Sequence, residues 1–371
     1  MTLDYPTLEQ IYQHVDRFAA EHARIARVES PGLSDEGLPV KAVFVTDPSV
    51  PDQQKQVALI VNMRHGNERG TRGVGPALLE WLASPEAAET LSRQLVVVVP
   101  VANPDGCTRD EFLAPDDGLS DTEARTIGAL ARRLLPDLVV DIHSMSDYET
   151  EAVIAAHTGK HGEDAFIHRA MMAKLVDDLA TLGYPFLTDD LIGSYNNFFC
   201  GMCYEEFHAV VFGLEVNHLS LTCGEAAESG AAAVASLLRW GNARTPWQSE
   251  PGYPNGILLG SFMTSLRAAG QNAAERRRSR AALWRHRSRL GPLKRETSDQ
   301  GTVGVTLTYD GEALDCPMEV SCRLRGSRHA VQATLNGSPV QPRLHADRCS
   351  TYVACTLPRV EPGTHELALA F

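Results

Sequence analysis

The sequence lacks the features that mark several classes of protein. It has no uninterrupted apolar run of about eighteen residues, so we expect no membrane-spanning helix. Its first residues carry neither the basic segment nor the apolar stretch of a secretory signal, and we therefore expect a cytoplasmic protein. Positive charge is in deficit, since 34 Lys and Arg stand against 47 Asp and Glu. The net charge of −13 argues against nucleic-acid binding, which rests on phosphate contacts.

Cysteine is not arranged as a disulfide framework, although the chain has eight. Four of them lie in two segments that alternate with apolar residues as strand faces do, Cys316 with Cys322 and Cys349 with Cys355. We interpret these four as core residues, with a disulfide or a metal site as the alternative. Cys200 and Cys203 form a Cys-x-x-Cys pair, which we interpret as two loop thiols, with a redox or regulatory disulfide as the alternative.

Apolar runs and helical patterns alternate through the first two thirds of the chain. Residues 7–22 predict an opening helix, because Thr7 and Gln10 form a capping-box pattern at its start. Most later apolar runs are continuous, which is typical of central strands covered on both faces. Six such runs occur, at 41–46, 57–63, 95–102, 138–142, 152–156 and 210–216. Residues 1–243 therefore predict an α/β domain whose mostly parallel or mixed central sheet is flanked by helices.

The last third of the chain has a different pattern. Residues 301–371 consist of short strand patterns separated by turns such as Asn336-Gly337, and they predict a small C-terminal all-β sandwich. We interpret residues 244–300 as a linker and helical segment. Its Arg-rich part, 276–295, is interpreted as a solvated helix face or an interdomain contact, with a polyanion site as the alternative.

Candidate metal ligands follow two of the predicted strands. His65 and Glu68 stand three residues apart in a turn, where an imidazole nitrogen and a carboxylate oxygen can face one zinc ion. His143 ends another strand and can supply a third ligand. Asp141 lies two residues earlier on the same strand face, so it could orient an imidazole from behind. The alternative for Asp141 and His143 is an ordinary polar pair at a strand end.

Two further segments lie at strand ends, where open α/β sheets bind their ligands. Glu215 lies inside an apolar strand, and a carboxylate there is costly to bury unless it has a partner or a task. Facing a metal, it could accept a proton from water; the alternative is a salt-bridged Glu. The turn Asn103-Pro104-Asp105-Gly106 follows another strand and is interpreted as a loop beside the site.

In their order along the chain, these segments resemble the zinc metallocarboxypeptidase family, which includes carboxypeptidase A-like and succinylglutamate desuccinylase-like zinc hydrolases. The order is His-Gly-Asn-Glu, Asn-Pro-Asp-Gly, Asp-Ile-His-Ser and then a late Glu, and the similarity covers about residues 5–243. The resemblance implies a carboxypeptidase-like α/β fold and one zinc ion per chain. It implies His65, Glu68 and His143 as zinc ligands and Glu215 as general base.

The resemblance also implies residues that contact substrate. The family uses an Arg after the Asn-Pro-Asp-Gly turn to polarise the scissile carbonyl, and Arg109 is the candidate here. It also uses a Tyr on a mobile loop before the catalytic Glu, for which Tyr195 fits the spacing and Tyr204 is the rival. Asn103, in the turn itself, is a further candidate for substrate binding.

The chain departs from the family where the substrate's terminal carboxylate is held. Family members carry an Asn-Arg pair between the turn and the second zinc His, but no such dipeptide occurs between Gly106 and His143. Arg64 and Arg69 flank the zinc motif and could bind an acidic group instead. This departure favours a specialised peptidase, an amidase or a deacylase over a general carboxypeptidase.

These observations predict a zinc-dependent hydrolase that cleaves an amide bond of a small peptide or an acyl-amino acid. The alternatives are an amidase or deacylase acting on a non-peptide substrate, and a scaffold or binding protein that has lost metal function. The expected partner is the small substrate, with no nucleic acid and no membrane.

Overall fold

The computed structural model describes residues 5–52, 55–112, 122–144, 152–156, 165–190, 198–207, 209–217, 219–242, 257–261, 264–270, 273–298, 301–325, 328, 330–346 and 350–371. The chain divides into two compact units. The N-terminal unit comprises residues 1–204 and 209–243, and the C-terminal unit comprises residues 205–208 and 244–371. None of the helices in these described ranges is both long and apolar enough to cross a membrane.

The N-terminal unit is built on a sheet of eight strands in the order β1-β2-β4-β3-β5-β8-β6-β7. In chain order the strands are β1 (Ala26–Leu33), β2 (Pro39–Val45), β3 (Gln56–Asn62), β4 (Gln94–Val99), β5 (Leu138–His143), β6 (Ala152–Ala156), β7 (Phe186–Asp190) and β8 (Val210–Glu215). β4, β3, β5 and β8 run parallel to one another, while β1, β2 and β6 introduce antiparallel pairs. The sheet is therefore mixed.

Helices flank this sheet and connect its strands. They are α1 (Leu8–Glu21), α2 (Val74–Ala83), α3 (Ala88–Arg93), α4 (Pro104–Arg109), α5 (Thr122–Leu134), α6 (Ala165–Thr181), α7 (Phe198–Phe207) and α8 (Cys223–Asn242). α1 begins with the predicted capping box, in which Gln10 N donates to Thr7 Oγ1 and Thr7 N donates to Gln10 Oε1. The α/β fold predicted from the alternating pattern is confirmed.

The four parallel central strands are almost entirely buried, as their continuous apolar runs predicted. Their carboxyl ends lie at one edge of the sheet, because neighbouring strands are parallel and in close register. Val61 pairs with Asp141, and His143 pairs with Glu215. The polar residues at these strand ends are thereby brought together.

The C-terminal unit contains two antiparallel sheets of five strands, in the orders β16-β17-β13-β10-β9 and β11-β12-β18-β14-β15. Its elements are β9 (Ile257–Ser261), β10 (Thr264–Ala268), α9 (Ala273–His286), β11 (Lys294–Thr297), β12 (Thr302–Tyr309), β13 (Met318–Arg325), β14 (Gln332–Leu335), β15 (Ser338–Val340), β16 (Arg343–Ala346), β17 (Ser350–Leu357) and β18 (Gly363–Ala370). The predicted all-β region is thus confirmed as a separate body.

The interpretation of residues 244–300 as a linker and helical segment is wrong in part. β10 pairs with β13, β9 pairs with β10, and β11 pairs with β12, so this segment supplies three strands to the two sheets. In the Arg-rich part, Arg278, Arg285 and Arg289 are exposed, as a solvated face requires, whereas Arg280 is buried.

Cys322 and Cys355 lie on buried strand faces with their thiols free, which agrees with their interpretation as core residues. Cys316 precedes β13 and is partly exposed, and Cys349 lies outside the described residues. Cys200 and Cys203 were expected in a loop. They lie instead on α7, buried and unbridged, because the segment forms a helix packed into the core.

Candidate metal centre

The three predicted ligands converge at the carboxyl ends of β3 and β5. His65 Nδ1 lies 2.6 Å from Glu68 Oε1, and His143 Nδ1 lies 3.0 Å from Glu68 Oε2. One donor atom from each residue lies within 4.8 Å of the others, so the three can hold a single ion. The side chain of His65 is 20% exposed, whereas that of His143 is only 6% exposed.

The donor set fits zinc. Two imidazole nitrogens and one carboxylate oxygen are the three protein ligands of many catalytic zinc sites, which leave the remaining position open. The Nδ1 atoms of both rings face Glu68, so both can present a lone pair to the same point. A metal ligand binds its ion in the deprotonated form, so a bound cation replaces the protons that these side chains would otherwise share. A carboxylate between two imidazoles is therefore also typical of a divalent-cation site.

The electrostatics of the ligands agree with this geometry. Burial opposes ionisation of Glu68, but the neighbouring rings of His143 and His65 outweigh it and lower the pKa of Glu68 to about 2. Burial likewise opposes charge on His143, but Asp141 and Glu68 raise its pKa well above the ordinary value. The centre therefore favours a positive charge between these side chains.

Glu215 lies next to the centre at the end of β8. It pairs in register with His143 on β5, and Val216 N donates to His143 O at 2.8 Å. Burial raises the pKa of Glu215 to about 7; His143 opposes this, and the carboxylates of Glu68 and Asp141 reinforce it. A carboxyl group with a pKa near neutrality beside a metal centre is suited to accept and return a proton.

Asp141 and Arg64 form a buried ion pair behind the centre. Arg64 Nη1 donates to Asp141 Oδ2 at 2.7 Å, and the side chains are 9% and 0% exposed. The same Oδ2 lies 3.1 Å from His143 Nε2, close but not aligned as a hydrogen bond. The placement of Asp141 behind His143 is as predicted. The expectation that Arg64 binds substrate is corrected, since its guanidinium is withdrawn from solvent and engaged by Asp141.

Asn103 supports the backbone of the centre. Its Oδ1 accepts from Gly106 N at 2.8 Å and caps α4, while its Nδ2 donates to Arg64 O at 3.0 Å. Only 4% of Asn103 is exposed. The expectation of a substrate contact is therefore corrected, because both polar atoms of the amide are bonded to the protein itself.

The remaining predicted residues either contact other side chains or lie outside the described part of the chain. Arg69 Nε donates to Asp110 at 2.8 Å, and Arg109 forms an ion pair with Glu36; both arginines are largely exposed. Tyr204 is buried, with its ring centroid 6.5 Å from that of His168, so it is a core residue rather than part of a surface loop. Tyr195 lies outside the described residues.

Three residues near the centre were not predicted. Phe112 is 51% exposed, and its ring lies 4.1 Å from that of His65. Arg72 is buried and donates to Gly66 O and Cys107 O, which ties the zinc motif to α4. Ser144 N donates to Glu68 Oε2 at 3.3 Å. The Asp-Ile-His-Ser motif contains Ser144, but the other two carry no local signal because their contacts depend on the fold.

Comparisons with known proteins find a matching family model and solved structures with a similar fold. The family model described as zinc carboxypeptidase matches residues 11–111, which include His65 and Glu68. Among solved structures, a metallo-carboxypeptidase from Burkholderia cenocepacia aligns with a TM-score of 0.53 and 16% identity, covering 63% of this chain and 69% of that one. Carboxypeptidase A from Helicoverpa armigera aligns with a TM-score of 0.51 and 14% identity, covering 64% of this chain and 74% of that one.

A metallo-carboxypeptidase from Pseudomonas aeruginosa, in complex with (2-guanidinoethylmercapto)succinic acid, aligns with a TM-score of 0.50 and 19% identity, covering 63% of this chain and 69% of that one. A search of curated proteins gives no match in sequence. The resemblance to zinc carboxypeptidases, expected from the four motifs, is confirmed by the family model and by the shared fold.

Gly66 provides a test of how closely the two motif loops must approach. A Cβ at this position would lie 1.9 Å from the carbonyl carbon of Gly106, so the backbone of one loop must move. We expect Gly66→Ala to lower the free energy of unfolding by roughly 2–4 kcal/mol. Gly224→Ala is the control, since a Cβ there meets nothing within 4 Å on an exposed helical turn. Denaturant unfolding measures both, and equal stabilities would contradict the close approach.

Glu215→Gln tests the buried carboxyl in metal-free protein. Because the folded-state pKa is raised, the native state holds its proton longer than the unfolded state, and this group's contribution to stability falls as pH rises from 4.5 to about 7. Gln carries no charge at any pH, so it avoids the cost of burying an ionised carboxylate. We expect the stability of Glu215→Gln relative to wild type to rise by about 2 kcal/mol between pH 5 and pH 8. Exposed Glu89→Gln is the control, and parallel pH profiles for Glu215→Gln and wild type would contradict the shift.

Proposed function

We propose that the protein is a zinc-dependent hydrolase that cleaves an amide bond of a small peptide or an acyl-amino acid. The observation that carries this proposal is the convergence of His65, Glu68 and His143 beside Glu215 at one edge of the sheet. The family match and the fold support a metallopeptidase-like hydrolase at the coarser level.

The site residues divide the chemistry among them. Zinc held by the two histidines and Glu68 would supply a Lewis acid for the substrate carbonyl and lower the pKa of water. Glu215 accepts a proton from the attacking water at its carboxylate and returns that proton to the nitrogen of the leaving amine. Burial raises the pKa of Glu215, which suits this carboxyl group to take up and return a proton. Arg109 as the group that polarises the carbonyl, and Tyr195 as a residue closing over substrate, stay predictions.

The substrate surface includes an apolar part. Phe112 is half-exposed and packs against the ring of His65, so it offers an aromatic face beside the reacting centre. Burial of an apolar substrate group against such a face would contribute to binding. This arrangement supports a substrate with an apolar group next to the scissile bond.

An amidase or deacylase acting on a non-peptide substrate is the second candidate, and the pairing of the nearby arginines favours it. Arg64 is engaged by Asp141, Arg69 and Arg72 by Asp110, and Arg109 by Glu36. A carboxypeptidase needs a cation for the terminal carboxylate, usually the bidentate fork of an Arg. Each of these arginines would have to leave an acidic partner to serve that purpose.

The third alternative, a scaffold without metal function, is opposed by the intact ligand set. The expected partner remains a small peptide or acyl-amino acid. The cytoplasmic location expected from the sequence stays a prediction.

Metal content tests the proposed centre. We expect about one zinc ion per chain by elemental analysis, lost in His65→Ala/Glu68→Ala because a third ligand cannot hold the ion alone. The matched control is His14→Ala/Glu80→Ala, which removes another His–Glu pair of the same unit, 3.1 Å apart, and should leave the zinc content unchanged. Absence of zinc in the wild type after incubation with the metal would favour the scaffold alternative.

Pairs of substrates with and without a free terminal carboxylate test whether the enzyme recognises that group. We expect kcat/KM for acylated amino acids and for their C-terminal amides to agree within about tenfold, a difference of roughly 1.4 kcal/mol, because the nearby arginines already have acidic partners. A preference for the free acids of more than about a hundredfold would instead identify a carboxypeptidase with a dedicated cation.

A further inference from the structure

Arg64 links two segments of the chain that carry metal ligands. Its backbone carbonyl accepts from Asn103 Nδ2 at 3.0 Å, and the next residue along the chain is the ligand His65. Its side chain crosses to β5 and donates to Asp141, which lies 3.1 Å from the second histidine ligand, His143. One residue therefore fixes the turn that follows β3 and the side chains at the end of β5.

We propose that Arg64 is a positioning residue of the metal centre, which holds Asp141 against His143 so that the ring presents Nδ1 to the metal. This inference rests on the proposed zinc site. It replaces the expectation that Arg64 binds substrate. Arg64 would act through Asp141, to which Arg64 Nη1 donates at 2.7 Å.

The surroundings of the pair explain why a cation is needed there. Asp141 is completely buried, and burying a carboxylate without a partner is strongly unfavourable. Its Oδ2 receives Arg64 Nη1 at 2.7 Å and the thiol of Cys200 at 3.6 Å, while the guanidinium lies 5.7 Å from the ring centroid of Phe199. These contacts hold the carboxylate oxygen at the place where it faces His143.

The arrangement determines which nitrogen of His143 carries the proton. A carboxylate 3.1 Å from Nε2 attracts the proton to that nitrogen and leaves the lone pair of Nδ1 for a metal. Groups behind a metal-binding histidine commonly change metal affinity by about 10- to 100-fold when they are removed. Arg64 belongs to this set because it orients the carboxylate.

The charge of Arg64 alone predicts the opposite change in zinc affinity from a positioning role. The direction of the change therefore distinguishes the two explanations. Arg64 is a cation near a site for a divalent cation, so its loss would strengthen zinc binding if only long-range repulsion mattered. If Arg64 positions Asp141, its loss weakens zinc binding. Arg64→Lys separates the two effects further, because it keeps the charge and removes the planar fork.

The test is zinc affinity, measured by competition with a chromophoric chelator, for wild type, Arg64→Met, Arg64→Lys, Asp141→Asn and the double variant Arg64→Met/Asp141→Asn. We expect Arg64→Met to weaken binding by about 10- to 100-fold and Arg64→Lys by less. In the Asp141→Asn background, Arg64→Met should change the affinity by less than about threefold, because both residues act through one contact. Cobalt(II) spectra of the same variants report whether the ligand geometry changes.

The surface pair Arg239–Glu86 provides the matched control. Arg239→Met removes a cation from the same unit at a half-exposed position and should leave zinc affinity unchanged. Tighter or unchanged zinc binding in Arg64→Met, or effects of Arg64 and Asp141 that simply multiply, would overturn the inference.

The outcomes also separate this inference from the proposed function. If wild type binds zinc through His65 and Glu68 but Arg64 variants bind it equally well, only the positioning role fails. If wild type binds no zinc, both fail. Thermal unfolding in the presence of a chelator monitors folding, and Arg64→Lys with Asp141→Asn decides the question if Arg64→Met does not fold.

Discussion

The centre depends on three carboxylates withdrawn from water at one edge of a sheet, each of which must be compensated. Glu68 lies between two imidazole rings, and its pKa falls to about 2, as a metal ligand requires. Asp141 is matched by Arg64, which keeps it ionised in the core. Among the residues that the structure describes, Glu215 has no cation paired with it, and its pKa rises to about 7. The same chemical group thus has three different proton affinities according to its neighbours, which suits the proposed roles of ligand, support and base.

Parallel strand pairing brings these groups together. β3, β5 and β8 are adjacent and in register, so residues 61, 141 and 213 lie side by side although they are far apart in sequence. A shift of one residue in any strand would turn its side chains to the other face of the sheet. The buried apolar runs fix this register, and the polar site residues lie at or just after the carboxyl ends of these strands.

Much of this could be predicted from sequence, because it is written in local patterns. Continuous apolar runs predicted the central strands, and the motifs located the residues that converge at the strand ends, His65, Glu68, His143 and Glu215. The partner of Arg64 is 77 positions away, and no local signal indicates that its guanidinium turns inward. Asn103 and Tyr204 were misjudged for the same reason, since burial decides their roles. Residues 244–300 were misjudged because their strands are short and pair only with distant ones.

The contact between Gly66 and Gly106 has a consequence for how such a site can be redesigned. The turn after β3 and the first turn of α4 approach backbone to backbone, and Arg72 donates to Gly66 O in the former and to Cys107 O in the latter. The two segments therefore pack as one unit, although some forty positions separate them in the chain. A chimera made with a related protein is expected to fold stably only when both segments come from the same parent. Substitution of the half-exposed Phe112 leaves the packing of these two segments intact. This position beside His65 is therefore where new substrate preferences can be selected.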